Sequence, residues 1–384
     1  MSAREKTPAM WSRLVGQDAA VKLLRDAVAT DGVGHAYLFV GPEGVGRELA
    51  ALALAASLNC AEGGCGACTV CEKVLRRAHP DLHTVSSPGA QILVEQIREM
   101  RRTAHRSAME GQVKVFLVED AHRLNPAASN ALLKVLEEPP ADVVIVLVTS
   151  SPEDLLETIV SRCRRVDFKP LSPDEIARIL IEQHDTAGEL AVWAARTAGD
   201  LSRALRFVKD PDAPTRRGGH LEIAGRLVRG GVAEAVRIAT ETTEEAKRAG
   251  ELLAARHKEE LTRYAEYFGD ARGTATARKR IEERHKREIR RRETEAYDSV
   301  LVDVASFYRD VLLLGSGAGD EVLVNIEMRD RLERGAAAAD PAWLVWALHR
   351  IESVRRSLAR NVQPALALEA LFMELATPRA RRSA

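Results

Sequence analysis

Residues Gly41 to Glu48 read G-P-E-G-V-G-R-E, preceded by the apolar run Tyr37 to Val40 and followed by the long apolar stretch Arg47 to Asn59. A glycine-rich turn between a strand and the helix it opens belongs to a parallel α/β sheet. The spacing is that of a phosphate-binding loop, G-x-x-x-x-G-K-[ST], in which the lysine reaches the β/γ-phosphates and the hydroxyl ligates Mg²⁺. Here Arg47 stands at the lysine position and Glu48 at the hydroxyl position. Arginine carries its charge on a bulky planar fork where a compact ammonium was needed. Glu48 places a negative charge where a triphosphate's oxygens would lie. Its position in the first helical turn suits the helix dipole, so it is expected to satisfy part of the empty loop itself. Gly41, Gly44 and Gly46 therefore predict the shape of a nucleotide site, and Arg47 and Glu48 predict the loss of its chemistry.

The first 170 residues continue the pattern, alternating short apolar runs with helical periodicity. Strands are predicted over residues 36–40, 82–86, 113–118, 143–149 and 164–168. The third and fourth are nearly continuous in valine, isoleucine and leucine, which suits central strands covered on both faces. Residues 126–138 read as a helix that Pro139-Pro140 stops. After Pro170 the β-runs end, and Ser172-Pro173-Asp174-Glu175 reads as a capped helix start. A linker is expected at Lys209-Asp210-Pro211-Asp212-Ala213-Pro214, with Gly218-Gly219 close behind. The remainder is helical throughout, with Trp343, Trp346, Phe372 and Leu375 expected in a core or subunit contact. Three domains follow: 1–170, a parallel α/β sheet domain; 171–210, a small helical domain; and 211–384, an all-α domain.

Two further motifs fall in the first domain. The predicted strand Val115-Phe116-Leu117-Val118 ends in Glu119-Asp120. In ATP-hydrolysing proteins with this loop the first acid helps hold Mg²⁺ and the next polarises the attacking water. The usual order there is Asp-Glu, so each side chain here is wrong in reach by about one methylene, and a misplacement of about 1 Å can cost on the order of 10²-fold. Cys60, Cys65, Cys68 and Cys71 form C-x₄-C-x₂-C-x₂-C, a spacing that wraps four thiolates around one tetrahedral Zn²⁺ and leaves no open coordination position for catalysis. Cys163 reads as a small buried residue. Ser161-Arg162-Cys163 stands between a helical stretch and the fifth strand, where an arginine can project onto a neighbouring subunit's triphosphate as an arginine finger.

Lysine plus arginine equals aspartate plus glutamate, 56 each, so no global field draws the chain onto nucleic acid. The charge-dense stretch Glu241 to Glu295, including the basic run Arg278 to Arg292, reads as solvated helix laced with ion pairs in preference to a DNA-binding face. The longest aliphatic run, Val143 to Val148, is too short to span a bilayer. With no charged-then-apolar leader pattern in the first residues, a cytoplasmic protein with no membrane partner is expected.

Taken together, Trp11 to Gln17, His35-Ala36-Tyr37-Leu38-Phe39, the cysteine cluster, Asn130 to Pro140 and Ser161-Arg162-Cys163 resemble the clamp loader of bacterial DNA polymerase III. The resemblance is dense over about the first 210 residues and weaker beyond. It implies a RecA-like AAA+ domain with a zinc module, a helical lid, and a collar that holds five subunits in a ring. It also implies that the assembly, with gamma/tau ATPase and delta partners, loads the sliding clamp onto primer-template DNA as an accessory of the DNA-directed DNA polymerase. A hydrolysing subunit of that family would carry Lys-Thr at 47 and 48, Asp-Glu at 119 and 120, and a nucleotide-sensing arginine where this chain has Ser202, with Arg203 one residue on. Three departures on one site beside an intact Arg162 resemble the non-hydrolysing delta-prime type, with no productive ATP binding at Gly41, Gly44, Gly46, Arg47, Glu48, Glu119 and Asp120. The alternative is a divergent gamma/tau-like ATPase that still uses Arg47.

Overall fold

The computed structural model describes residues 8–86, 91–268, 274–358 and 362–377, without the side chains at 264–268, 274–280, 283, 284 and 287. The chain divides into two units, Met1–Lys209 and Asp210–Ala384.

The first unit runs α1 (Ala9–Ser12), α2 (Asp18–Ala29), β1 (Ala36–Val40), α3 (Arg47–Asn59), α4 (Thr69–Leu75), β2 (Leu82–Val85), α5 (Val94–Ala104), β3 (Lys114–Val118), α6 (Pro126–Glu137), β4 (Val143–Thr149), α7 (Glu157–Val160), β5 (Arg164–Asp167), α8 (Pro173–His184), α9 (Gly188–Ala198) and α10 (Leu201–Lys209). The strands form one parallel sheet in the order β2-β3-β4-β1-β5. The glycine loop leaves β1, which lies between β4 and β5. Every residue of β1, β3 and β4 is buried, because helices cover both faces and successive side chains alternate between them. Tyr37, Phe39, Val115, Leu117 and Val146 pack with α3 on one face. Leu38, Phe116, Ile145 and Leu147 pack with α5 and α6 on the other. At the edge, β5 buries only Val166.

Local signals set the helix ends. Asn125 caps α6, its side chain accepting from the Ala128 amide, with Pro126 at the first helical position. Ser172 and Glu175 form a reciprocal capping box at α8. Helices α8 to α10 enclose a small apolar core of their own, centred on Ile176, Leu180, Ala194 and Ala198.

The second unit contains α11 (Ala213–Phe268), α12 (Thr274–Gly315), α13 (Arg329–Ala338), α14 (Pro341–Leu358) and α15 (Pro364–Ala376). α11 starts at Ala213 and runs straight through Gly218-Gly219, so the expected linker shrinks to residues 210–212. The helix cost of two glycines, about 1 kcal/mol each, is overridden by burial of Arg217, Leu221 and Ala224 in the same turns. The bend in α11 comes later, at Gly231. Leu227, Ile238, Leu301, Val304, Ile351, Leu371 and Phe372 form the core. Leu375 belongs to it, whereas Trp343 and Trp346 are only partly buried against it.

Several buried polar groups inside this unit are paired. Arg217 bonds Glu327 and Asn325, and Asp310 accepts from the amides of Val324 and Asn325. The buried His220 ring lies 2.8 Å from Asp303 through Nδ1 and 3.3 Å from Glu245 through Nε2. Burial opposes a charge on this ring, but the two carboxylates outweigh it and raise its pKa to about 9. Further out, α11 and α12 stack His257 on His285, centroids 3.9 Å apart, each within hydrogen-bond range of a glutamate on the opposite helix. Arg291 and Arg292 of the basic run both pair with Glu295, as a solvated ion-paired face would. Part of that run, at 278–280, 283, 284 and 287, lies outside the described side chains. No helix among the described residues is long and apolar enough to cross a membrane.

Candidate nucleotide crevice and metal centre

The ends of β1, β3 and β4 converge on the glycine loop. Gly41 follows β1, and its amide donates to the Thr149 carbonyl at the end of β4. A Cβ at Gly41 would stand 2.6 Å from the Phe168 carbonyl oxygen, so only glycine fits where β5 crosses behind the loop. Gly44 has a φ of 77°, and a Cβ there would meet Ser202 Oγ at 2.9 Å. The start of α10 therefore rests directly on the loop. Ser202 and Leu201 are the residues laid against it, while the neighbouring Arg203 is buried, its amide donating to Asp200 at 2.8 Å.

The substituted residues lie beside that contact. Arg47 is 2% exposed, and its Nη2 stands 3.6 Å from Glu48 Oε1. Its Nε and Nη1 are buried without a hydrogen-bond partner among the described residues. Glu48 thus faces its neighbour's guanidinium, and no described hydrogen bond joins it to the amides of Gly44–Gly46. Burial, then the charge of Asp120, raises the Glu43 pKa at the loop's tip, which gathers Glu43, Arg47 and Asp120 into one electrostatic site. His122 is lowered by burial, and its Nδ1 is 3.2 Å from Thr149 Oγ1. Thr149 went unnoticed in the sequence. It ends a uniformly apolar strand, and the polar last residue of such a strand was its only signal.

Both acids after β3 are occupied. Asp120, in the left-handed region at φ 50°, pairs with Arg123 at 3.6 Å. Glu119 pairs at 2.5 Å with Arg77 Nη1, a residue 42 positions earlier whose role no periodicity would reveal. Helix α4 ends in a Schellman turn, the Ala78 amide donating to the Lys73 carbonyl and the Arg77 amide to that of Val74. Glycine normally fills the left-handed position of this turn, yet Arg77 holds it at φ 56°. That conformation costs an L-residue roughly 1–2 kcal/mol. With side-chain exposures of 38% and 22%, the ion pair returns at most about 1 kcal/mol.

The cysteine module precedes that turn. The four Sγ atoms of Cys60, Cys65, Cys68 and Cys71 all lie within 4.8 Å of one another. Cys60 is 3.8 Å from Cys65 and 3.6 Å from Cys68. A tetrahedral ion with metal–sulfur bonds of about 2.3 Å requires sulfur–sulfur separations of about 3.8 Å, so the donor set fits such an ion. Disulfide bonding needs about 2.05 Å, and the cysteines are free. Burial pushes the Cys60 thiol up, but amides of Cys65, Gly64 and Glu62 and the Cys68 thiol outweigh it and hold it at about 6, favouring the thiolate a metal needs. The sulfur of Cys68 also caps α4, accepting from the Cys71 amide. Remote from this cluster, the Cys163 thiol is pushed up to about 12 by burial.

Arg162 stands away from the crevice, exposed just after α7. Its Nη2 pairs with Glu137 at 2.9 Å and its Nη1 donates to the Thr158 carbonyl at 3.0 Å. Glu137 also lines an open cleft of about 770 Å³ with Arg101, Arg102, His105, Arg106, Lys134 and Glu138. The buried Lys114 fixes the α5 end of this cleft by donating to the carbonyls of Ala104 and Arg106.

The family described as DNA polymerase III, delta subunit, matches residues 16–172. The DNA polymerase III subunit delta′ of Bacillus subtilis is 37% identical over 199 residues, 51% of this chain and 60% of that protein. The gamma/tau subunit of Mycobacterium tuberculosis is 36% identical over 217 residues, 54% of this chain and 38% of that protein. The chain thus spans less than two thirds of the length of either relative. A gamma subunit-related protein from Thermotoga maritima superposes at a TM-score of 0.40 with 17% identity, over 92% of this chain and 99% of that one. The matched stretch, residues 16–172, carries the glycine loop, the cysteine cluster and Arg162, and over it the chain is similar to clamp-loader subunits of DNA polymerase III.

Proposed function

We propose that this chain is a clamp-loader subunit of the delta-prime type, which does not turn over ATP and completes a neighbouring subunit's ATP site with Arg162. The observation that carries the reading is an asymmetry of charge. At the chain's own crevice Glu119, Asp120 and Glu48 all face arginines of the same chain, so none is left to hold the magnesium of a triphosphate. Arg162 is exposed on another surface, held by one carboxylate and one carbonyl, and a guanidinium so placed can stabilise charge on a phosphoryl group brought to it. In this reading the cysteines hold a structural Zn²⁺. Residues 171–210 are the lid and 211–384 the collar, and the partners are gamma/tau and delta subunits in a hetero-pentamer. Sliding clamp and primer-template DNA are reached through that assembly in the cytoplasm. The cationic cleft beside Arg162 adds a surface suited to an anionic partner.

The test is Arg162→Ala in the reconstituted loader. DNA-stimulated ATPase should fall while the assembly stays intact by size-exclusion chromatography; unchanged turnover would reject the finger. A gamma/tau-like ATPase is the second reading, favoured by the unpartnered Nε and Nη1 of buried Arg47. It requires the isolated chain to bind ATP in a Mg²⁺-dependent manner, which calorimetry decides.

A further inference from the structure

The left-handed arginine at the end of α4 belongs neither to the sheet nor to the metal cluster, and its ion pair does not repay its backbone strain. Residues held in such conformations without local compensation point to a role at the site they serve. Arg77 serves Glu119, the residue whose position after β3 would hold the metal of a bound nucleotide. We propose that Arg77 is a resident counter-cation for Glu119, which excludes divalent cations from the crevice. The inference rests on the reading of Glu119 as the displaced metal-holding acid.

Three observations support it. Arg77 Nη1 reaches Glu119 Oε1 directly, and a guanidinium cannot shed its charge at any physiological pH, so the carboxylate has a permanent partner. The Glu119 backbone is held in place, because its amide donates to the Val85 carbonyl at 2.9 Å and continues the β2–β3 ladder. Helix α4 is only seven residues long and begins at the capping sulfur of Cys68, with Cys71 in its first turn. The arginine is therefore fixed at one end of a short rod whose other end is the cysteine cluster. A metal held by the cysteines would set the position of Arg77, and through it the state of Glu119.

The probe is Mn²⁺, counted by the EPR signal of the free ion against the full-length chain; as a hard cation it prefers oxygen donors to thiolates. Arg77→Gly suits the left-handed turn and should fold at least as well as the wild type, and Arg77→Gln supplies a second neutral variant if the glycine loosens the turn. Both neutral variants should bind one Mn²⁺ per chain at least tenfold more tightly than the wild type. Arg77→Lys should preserve the exclusion, and adding Glu119→Gln to Arg77→Gly should return Mn²⁺ affinity to the wild-type level. Equally weak Mn²⁺ uptake by the wild type and both neutral variants overturns the role of Arg77 and leaves the non-hydrolysing reading standing. A gain that Glu119→Gln does not remove overturns it as well. A wild type that already binds one Mn²⁺ through Glu119 overturns both.

Discussion

Replacing His220 by glutamine should remove a stabilising charge from the second unit in a strongly pH-dependent way. The ring is 9% exposed and sits between Asp303 and Glu245. Its pKa rises from the ordinary 6.5 to about 9. A rise of about 2.5 units at 1.36 kcal/mol each corresponds to roughly 3 kcal/mol of stability. Because the folded pKa is raised, this contribution is fully present below about pH 6.5 and is lost as the pH climbs through about 9. Glu245 behaves oppositely: its hydrogen bond with His220, working against burial, holds its carboxyl below the usual range, so its share is lost as the pH falls through that lowered value. Urea unfolding of wild type and His220→Gln from pH 6 to 10 measures the histidine limb. The gap between the two proteins should be about 3 kcal/mol near pH 6 and should close toward pH 10. Parallel curves, with the same gap at both ends, would refute the argument that ring charge and not ring shape holds this network.

Cys71→Ser should lower bound zinc from about one ion per chain to well below that, read by metal analysis after dialysis, because a structural site needs all four thiolates. Stripping the metal with a chelator should raise hydrogen exchange in residues 60–78 and leave β1, β3 and β4 protected. Asp81 accepts the amides of Met109, Glu110 and Gly111; burial raises its pKa, but those three amides outweigh it and hold the carboxyl low. Asp81→Ala should cost about 3 kcal/mol at pH 7 and free the loop before β3 to exchange. The wild-type advantage over this variant should be present above the ordinary carboxylate range and shrink as the pH falls through the depressed value; a pH-independent gap would count against it.

Much of this was legible in the chain, for reasons that differ by element. β1, β3 and β4 announced themselves because burial on both faces leaves no room for polar residues. α6 and α8 carried their own caps, and the cysteines were close enough in sequence for spacing to imply proximity. The order of the strands was not legible, since parallel pairing between β1 and β5 joins segments more than a hundred residues apart. Gly218-Gly219 read as a break because propensity was weighed without the buried neighbours that override it. Arg77 was invisible for a related reason: a Schellman turn predicts glycine, and only the position of Glu119 in space explains an arginine there.

The loop's glycines and its charged residues carry separate information. Gly41 is needed because the Phe168 carbonyl passes 2.6 Å from where a Cβ would stand, and Gly44 because Ser202 presses on it. Both contacts are made by the protein itself, so the glycine pattern would be required even in a chain that never met a phosphate. Nucleotide chemistry depends instead on whether Arg47, Glu48, Glu119 and Asp120 are free to take a ligand. Here each faces an opposite charge of the same chain: Arg47 with Glu48, Arg77 with Glu119, Arg123 with Asp120. A triphosphate with its metal would have to break three pairs and displace Ser202 from Gly44 before making a first contact. Neutralising Arg77 alone should therefore open the crevice to a cation without making it an ATPase, because Arg47 and Glu48 would still occupy each other and the Glu-Asp order after β3 would remain reversed.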